Sequence, residues 1–237
     1  MKMLAALAVL ALALPTTDAS AAPAARKAIR KAPVNVDWTK RVTVTPAGGF
    51  LVGNPDAKTT FVEYASLSCP YCQRFHQEAT TGLRARIATG KVNFEFRPFA
   101  VHSADPILHA LLRCAGPARF NKFADDFYEG QTTLTAVYEK WAEANPTVDA
   151  TATAADRVKY AHVWGFTTFA TSHGLTRTQA TACVSNAKAI YAQRQLDDKA
   201  NAELGVTGTP TFFLNGQKLS VYTWAAIDQA IGAAIAS

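Results

Sequence analysis

Two cysteines separated by two residues, Cys69-Pro70-Tyr71-Cys72, sit where a strand pattern gives way to a helical one. That junction limits the architecture more than any other part of the chain. Upstream, Thr59–Ala65 (TTFVEYA) is rich in β-branched and aromatic residues and reads as a buried strand. Downstream, Cys72, Phe75, Ala79, Leu83 and Ile87 recur at spacings of 3, 4, 4 and 4, the apolar stripe of a helix. Lys91–Pro98 (KVNFEFRP) alternates as a further strand. A strand, helix, strand unit favours parallel pairing and an α/β sheet.

The same junction suggests chemistry. The first turn of a helix stacks residue i over i+3, so the two sulfurs can reach bonding distance. Cys69 then sits at the helix N-terminus, where unpaired N–H groups and the positive end of the macrodipole favour a thiolate. A lowered thiol pKa makes Cys69 both a nucleophile and a good leaving group. Cys72 lies one turn inward and is shielded. Pro70 suits a first helical turn, where its missing N–H costs little. A zinc knuckle shares the spacing, but a structural site needs four ligands. The remaining two of the four cysteines, Cys114 and Cys183, are isolated, and no paired histidines accompany the motif. An inert staple across so short a loop would stabilise little. The reading is a pair that cycles between dithiol and disulfide, with no metal and no bound cofactor.

The compartment follows from the N-terminus. Lys2 precedes the apolar run Met3–Leu14, then Pro15 and small residues, with Ala19-Ser20-Ala21 as a cleavage candidate. That order is a secretory signal peptide over residues 1–21. The run is too short for a bilayer span, which needs roughly 20 apolar residues. Export to an oxidising compartment permits persistent disulfides. Without residues 1–21, 216 of the 237 residues remain, which suits one large domain or a domain with an insertion. The net charge of +6 is modest, and part of it lies in Arg26, Lys27, Arg30 and Lys31. No basic stripe interleaves with aromatics, so nucleic acid is not implied.

The rest of the chain divides by pattern. Residues 22–40 read as a flexible segment. Arg41–Thr45 and Phe50–Val52 read as short strands around a turn at Pro46-Ala47-Gly48-Gly49. From Ser103 to about Glu203 the patterns are helical. Asp105-Pro106 opens one helix, Phe120, Phe123 and Phe127 mark a second, and Leu134, Val137 and Trp141 a third. Asn145–Ala155 reads as an exposed loop. The capping box Thr176-x-x-Gln179 starts a helix with Ala180, Cys183, Ala187 and Ile190 on one face. Strand signals return at Thr209–Leu214. Asn215-Gly216 marks a two-residue hairpin turn with Lys218–Val221 pairing back, and Thr223 caps a last helix.

These features together resemble a thioredoxin fold with an inserted all-helical subdomain. With the signal peptide they resemble its DsbA-like branch, the bacterial periplasmic thiol-disulfide oxidoreductases. The resemblance runs from about Val44 to the C-terminus and rests on FVEYASLSCPYC, the insertion, GVTGTPTFFLNG and the closing helix. It implies fold halves at 41–102 and 204–237 and an insertion at 103–203. It implies that Cys69 attacks and Cys72 resolves, that Pro210 is a cis-proline facing them, and that Thr209 helps hold substrate backbone. Glu63 falls where related enzymes bury an acid, which implies proton exchange with Cys72; an edge or solvent-facing strand position is the competing reading. Tyr71 replaces the histidine of the strongest oxidases, which implies a weaker oxidant. His76 and His102 are candidates for the substrate groove. For Cys114 and Cys183, each on a helical apolar stripe, the expectation is a structural disulfide clamping the insertion, with two buried free thiols as the rival. The implied partners are folding proteins with free thiols and a DsbB-like membrane protein that reoxidises a monomeric enzyme through quinone. An isomerase or reductase with the same site is the first alternative. Those isomerases dimerise through an N-terminal domain, for which residues 22–40 are too short. A non-catalytic chaperone-like binding module is the second.

Overall fold

The strands flanking the cysteines pair as their patterns suggest. The computed structural model describes residues 36–144 and 152–236. The proposed signal peptide and most of the 22–40 segment lie outside the described residues. In sequence order the strands are β1 (Val42–Val44), β2 (Phe50–Gly53), β3 (Thr59–Ala65), β4 (Val92–Pro98), β5 (Thr211–Leu214) and β6 (Gln217–Lys218). They form one sheet in the order β1-β2-β4-β3-β5-β6. β3 and β4 are parallel, with Phe61 opposite Phe94 and Glu63 opposite Phe96. The other pairings are antiparallel. β3, which runs into Cys69, is therefore interior to the sheet. β6 is shorter than the expected Lys218–Val221. The turn before it has Asn215 at φ 50° and Gly216 at φ 82°, both left-handed, as a two-residue hairpin of this twist requires.

Alternation along β3 divides the core into two layers. On one face Phe61 stacks on Phe94 at 5.7 Å and Phe212 at 5.6 Å. Against them packs α1 (Pro70–Ala88), with Phe75 at 4.4 Å from Phe212. On the other face Val62 and Tyr64 join Phe99, Ala200, Val206 and Phe213. The last helix, α8 (Trp224–Ala236), crosses α1 closely, and a Cβ on Gly82 would lie 2.6 Å from the Trp224 ring. Arg86 pairs with both oxygens of Asp228 across this crossing, at 2.8 and 2.9 Å.

Between β4 and β5 lie α2 (Asp105–Ala115), α3 (Phe120–Ala144), α4 (Ala154–Val163), α5 (Phe166–Ser172), α6 (Arg177–Ser185) and α7 (Ala187–Leu204). This is a thioredoxin-like fold with a helical insertion. Three local expectations need correction. The two helices read from Phe120 to Trp141 are the single helix α3. Its buried stripe runs through Phe120, Ala124, Phe127, Gln131, Thr135 and Tyr138 without a break in spacing. Gln131 and Thr135 are polar, so the apolar pattern stops where the burial does not. The helix begun at Thr176 ends at Ser185, because Asn186 leaves helical geometry (ψ 87°) and its side chain caps the N–H of Ala189 at 3.1 Å. Ala154 and Ala155 open α4 behind a Thr153–Asp156 capping box rather than ending a loop; residues 145–151 lie outside the described residues.

Cys114 of α2 and Cys183 of α6 are disulfide-bonded, their Cα atoms 6.3 Å apart. They do not sit on buried faces as the stripes suggested. Cys114 is exposed and Cys183 half-buried, so the bond crosses the outer edge of the α2–α6 contact.

Candidate active site

The site is where the C-terminal end of β3, the N-terminus of α1 and the loop before β5 meet. Cys69 is the N-cap of α1, in extended geometry, with Pro70 and Tyr71 in the first turn. Both Cys69 and Cys72 are free thiols, and both are buried. The Cys69 Sγ donates to the Thr209 carbonyl at 3.4 Å, and the Thr209-Pro210 peptide bond is cis. Chain segments 140 residues apart thus converge on one sulfur.

The two sulfurs differ in environment. The Cys72 thiol's hydrogen bond holds Cys69 down at about 5 against the opposing effect of burial, with help from contacts to Thr209 and the N–H groups of Cys72 and Tyr71. Burial pushes Cys72 well above the usual thiol range, reinforced by the hydrogen bond to Cys69 and the charges of Glu63 and Cys69. Glu63 projects from β3 toward α1 and is 5% exposed. Burial, and then the Cys69 charge, raises its pKa from 4.5 to about 8. It is an interior-strand residue, not an edge one, and lines a cavity of about 60 Å³ with Phe75, His76, Asp125 and Tyr128.

A proton held by Glu63 in the native state but lost in the unfolded state from pH 4.5 upward makes stability fall as pH rises toward 8. Glu63→Gln removes that slope. The reduced variant is expected to be more stable than the parent at pH 8 by on the order of 2–4 kcal/mol, with the difference vanishing near pH 4.5. Urea denaturation between pH 5 and 9 reads this directly; parallel curves for the two proteins would contradict a buried protonated acid.

Beside the cysteines, an open groove of about 400 Å³ is lined by Tyr71, Arg74, Phe75, Glu78, Thr209, Pro210, Tyr222 and Thr223. Tyr71 and Tyr222 are 63% and 60% exposed, and the Arg74 guanidinium lies 5.5 Å from the Tyr71 ring centre. His76 does not reach this groove. It turns beneath α1, where Nε2 lies 3.2 Å from Asp125 of α3 and its ring 4.9 Å from Tyr128. One helical turn beyond Cys72 carries it toward the insertion instead of toward Pro210.

A family model described as thioredoxin matches residues 45–233. The chain belongs to the thioredoxin family. A Rickettsia bellii protein provisionally named protein-disulfide oxidoreductase is 28% identical over 190 residues, 78% of this chain and 64% of its own length. The chain thus spans just under two thirds of that relative. Among solved structures, a protein-disulfide isomerase from Novosphingobium aromaticivorans is similar with TM-score 0.72 and 28% identity, covering 79% of this chain and 97% of that one. Wolbachia pipientis alpha-DsbA1 shares the fold at TM-score 0.64 and 20% identity, covering 81% and 92%.

In this thioredoxin-family chain, α3 supports the cysteine loop in a way the sequence did not reveal. Gln131 donates to the carbonyls of Leu67 (2.6 Å) and Cys69 (3.1 Å), and Tyr128 donates to that of Ser66 (3.0 Å). Asp105 at the start of α2 is fully buried and accepts from Ser66 Oγ, Ser68 Oγ and the N–H groups of Val101 and His102 at 2.7–2.9 Å. The Ser66-x-Ser68-Cys69 spacing was visible as a string. Its acceptor is 37 residues beyond Ser68, and nothing local marks it.

Proposed function

We propose that this protein is an exported thiol-disulfide oxidoreductase that passes a Cys69–Cys72 disulfide to folding proteins. The observation that carries this reading is the asymmetry of the two sulfurs: a low-pKa Cys69 bonded to Thr209 beside cis Pro210, and a more deeply buried, high-pKa Cys72 beside Glu63. A substrate thiolate attacks Cys69 Sγ in the oxidised enzyme. The Cys69–Cys72 bond breaks and Cys72 leaves as a thiolate, which takes a proton from Glu63. A second substrate thiolate then attacks the substrate sulfur of the mixed disulfide and expels Cys69 as a thiolate. The substrate gains a disulfide, and the enzyme keeps the two electrons. Thr209 and Pro210 hold the substrate backbone against Cys69, and Tyr71 presents an apolar edge to it.

Reoxidation then requires an external acceptor, in this reading a DsbB-like, quinone-linked membrane protein serving a monomeric periplasmic enzyme. Residues 1–21 direct export. Of the segment read as a 22–40 linker, Trp38–Lys40 instead form a short 3-10 turn. Trp38 is buried against Gly90, because an indole has apolar surface to bury, so the folded part begins before residue 41. Residues 41–102 and 204–237 carry the site, and 103–203 form the inserted subdomain. The name of the Novosphingobium protein favours a second reading, disulfide isomerisation at the same cysteines.

Equilibration of the pair against glutathione separates the two directions of electron flow. An oxidase should sit near the more oxidising end of the thioredoxin-fold range, about −180 to −120 mV. A potential near about −270 mV, that of a reductant, would sink the oxidase reading.

A further inference from the structure

The dipeptide Pro70-Tyr71 carries no cation, but the structure brings an imidazole from another part of the chain to the residue that precedes the attacking cysteine. His102 follows β4, and its Nδ1 lies 3.0 Å from Ser68 Oγ, the residue before Cys69. The same Ser68 hydroxyl donates to Asp105 at 2.7 Å, and His102 Nδ1 lies 3.7 Å from the other Asp105 oxygen. The imidazole is thereby fixed at one end and 39% exposed at the other.

We propose that His102 is a positioning residue for Cys69: a histidine cation, oriented by Asp105 through Ser68, that stabilises the Cys69 thiolate and so sets the redox poise of the pair. This rests on the reading of Cys69 as the redox-active thiolate.

Two observations support it. Asp105 is a fully buried carboxylate accepting four hydrogen bonds. Burial opposes its charge, but the neighbouring His102 imidazole, the charge of His109 and the hydrogen-bond donors hold its pKa at about 2. A buried anion bonded to Ser68, the residue before a thiolate-bearing helix end, needs a compensating cation, or it would repel the thiolate. His109, also buried near Asp105, is pushed down to about 4 by burial and is neutral at pH 7. Arg113 is the other charged group on that helix and pairs its guanidinium with Gln193, away from Asp105. His102 is left to supply the charge. The nearby Asp105 carboxylate raises its pKa against burial, and the charges of Cys69 and Glu139 of α3 add to the rise. The hydrogen bonds at the Cys69 sulfur remain the larger cause of that thiol's low pKa; His102 adds to them through space.

The consequence is reciprocal. A thiolate at Cys69 favours the protonated imidazole, and the disulfide, which carries no charge, does not. The reduced enzyme is therefore stabilised while His102 is protonated. That advantage is lost as pH rises through the histidine's pKa.

The test is the equilibrium in which the enzyme dithiol and glutathione disulfide give the enzyme disulfide and two glutathione thiols, measured on the full mature chain and on His102→Gln. At pH 6.5 the variant should favour the enzyme disulfide by roughly three- to tenfold more than the parent, the size of one partly screened charge pair. The Cys69 thiolate, titrated by its ultraviolet absorbance, should ionise at higher pH by the matching amount. His102→Lys should restore the parental equilibrium at pH 6.5 and hold it to pH 9, where the parent and His102→Gln converge. If His102→Gln matches the parent in both equilibrium and thiolate titration, the proposal is overturned while the Cys69–Cys72 assignment stands. If neither protein equilibrates with glutathione, the redox reading of the cysteines fails first. An equilibrium shift that His102→Lys does not reverse would mean that shape, not charge, is what His102 contributes, and would also overturn it.

Discussion

Replacing Cys69 with serine should abolish disulfide transfer, lowering the rate of oxidation of a reduced protein substrate by on the order of 10³-fold or more, the usual scale for loss of a nucleophile. A hydroxyl cannot form the mixed disulfide, and the other free thiol among the described residues, Cys72, is wholly buried. The partner variant should behave differently. Cys72→Ser keeps the attacking sulfur but cannot form the enzyme disulfide. Its Cys69 thiolate attacks a substrate disulfide, and one substrate sulfur leaves as a thiolate. The resulting one-to-one mixed disulfide should accumulate until added reductant reverses it, because Cys72 is not there to attack Cys69 and expel the substrate. Mass spectrometry of those adducts identifies the clients. Full activity of Cys69→Ser would instead mean that the groove acts without the sulfur, as a chaperone-like module would.

The second large effect concerns stability. The Cys114–Cys183 bond joins residues 69 apart, and the chain-entropy relation for a loop of that length corresponds to roughly 4 kcal/mol. Because Cys114 is exposed and Cys183 half-buried, the double alanine variant leaves little cavity, and its loss of stability reads the cross-link rather than lost packing. Urea denaturation of Cys114→Ala/Cys183→Ala should show a loss of that order with Cys69 reactivity unchanged. A loss below about 1 kcal/mol would mean that helix packing alone holds α2 against α6.

Much of the architecture could be read from short-range pattern. TTFVEYA, KVNFEFRP and the 3-4-4-4 stripe after Cys72 place two strands and a helix because their periods, 2 and 3.6, differ and each stretch is long enough to show one. Asn215-Gly216 was legible because few residue pairs tolerate two left-handed positions. Reading failed where burial and hydrophobicity part company. Gln131 and Thr135 occupy core positions of α3, and their polarity hid a continuous helix. Gln131 is polar because its amide bonds the backbone of the cysteine loop, a use of burial that no periodicity scan detects. At Asn186 a single side-chain cap ended a helix that the stripe would have carried on. His76 was misplaced because spacing fixes the turn on which a residue sits but not which neighbour faces it.

The sequence by itself determined the sheet and helix elements around Cys69, the position of that cysteine at a helix N-terminus, and hence a sulfur predisposed to ionise. All of these depend on residues within a few turns of one another. Only the tertiary structure decided what surrounds that sulfur. Thr209 comes from 140 residues downstream, Tyr128 and Gln131 from the insertion, and His102 with Asp105 from the far end of β4. Charge, burial and hydrogen bonds act through space over a few ångströms, so the difference between Cys69 and Cys72 arises only once the chain has folded.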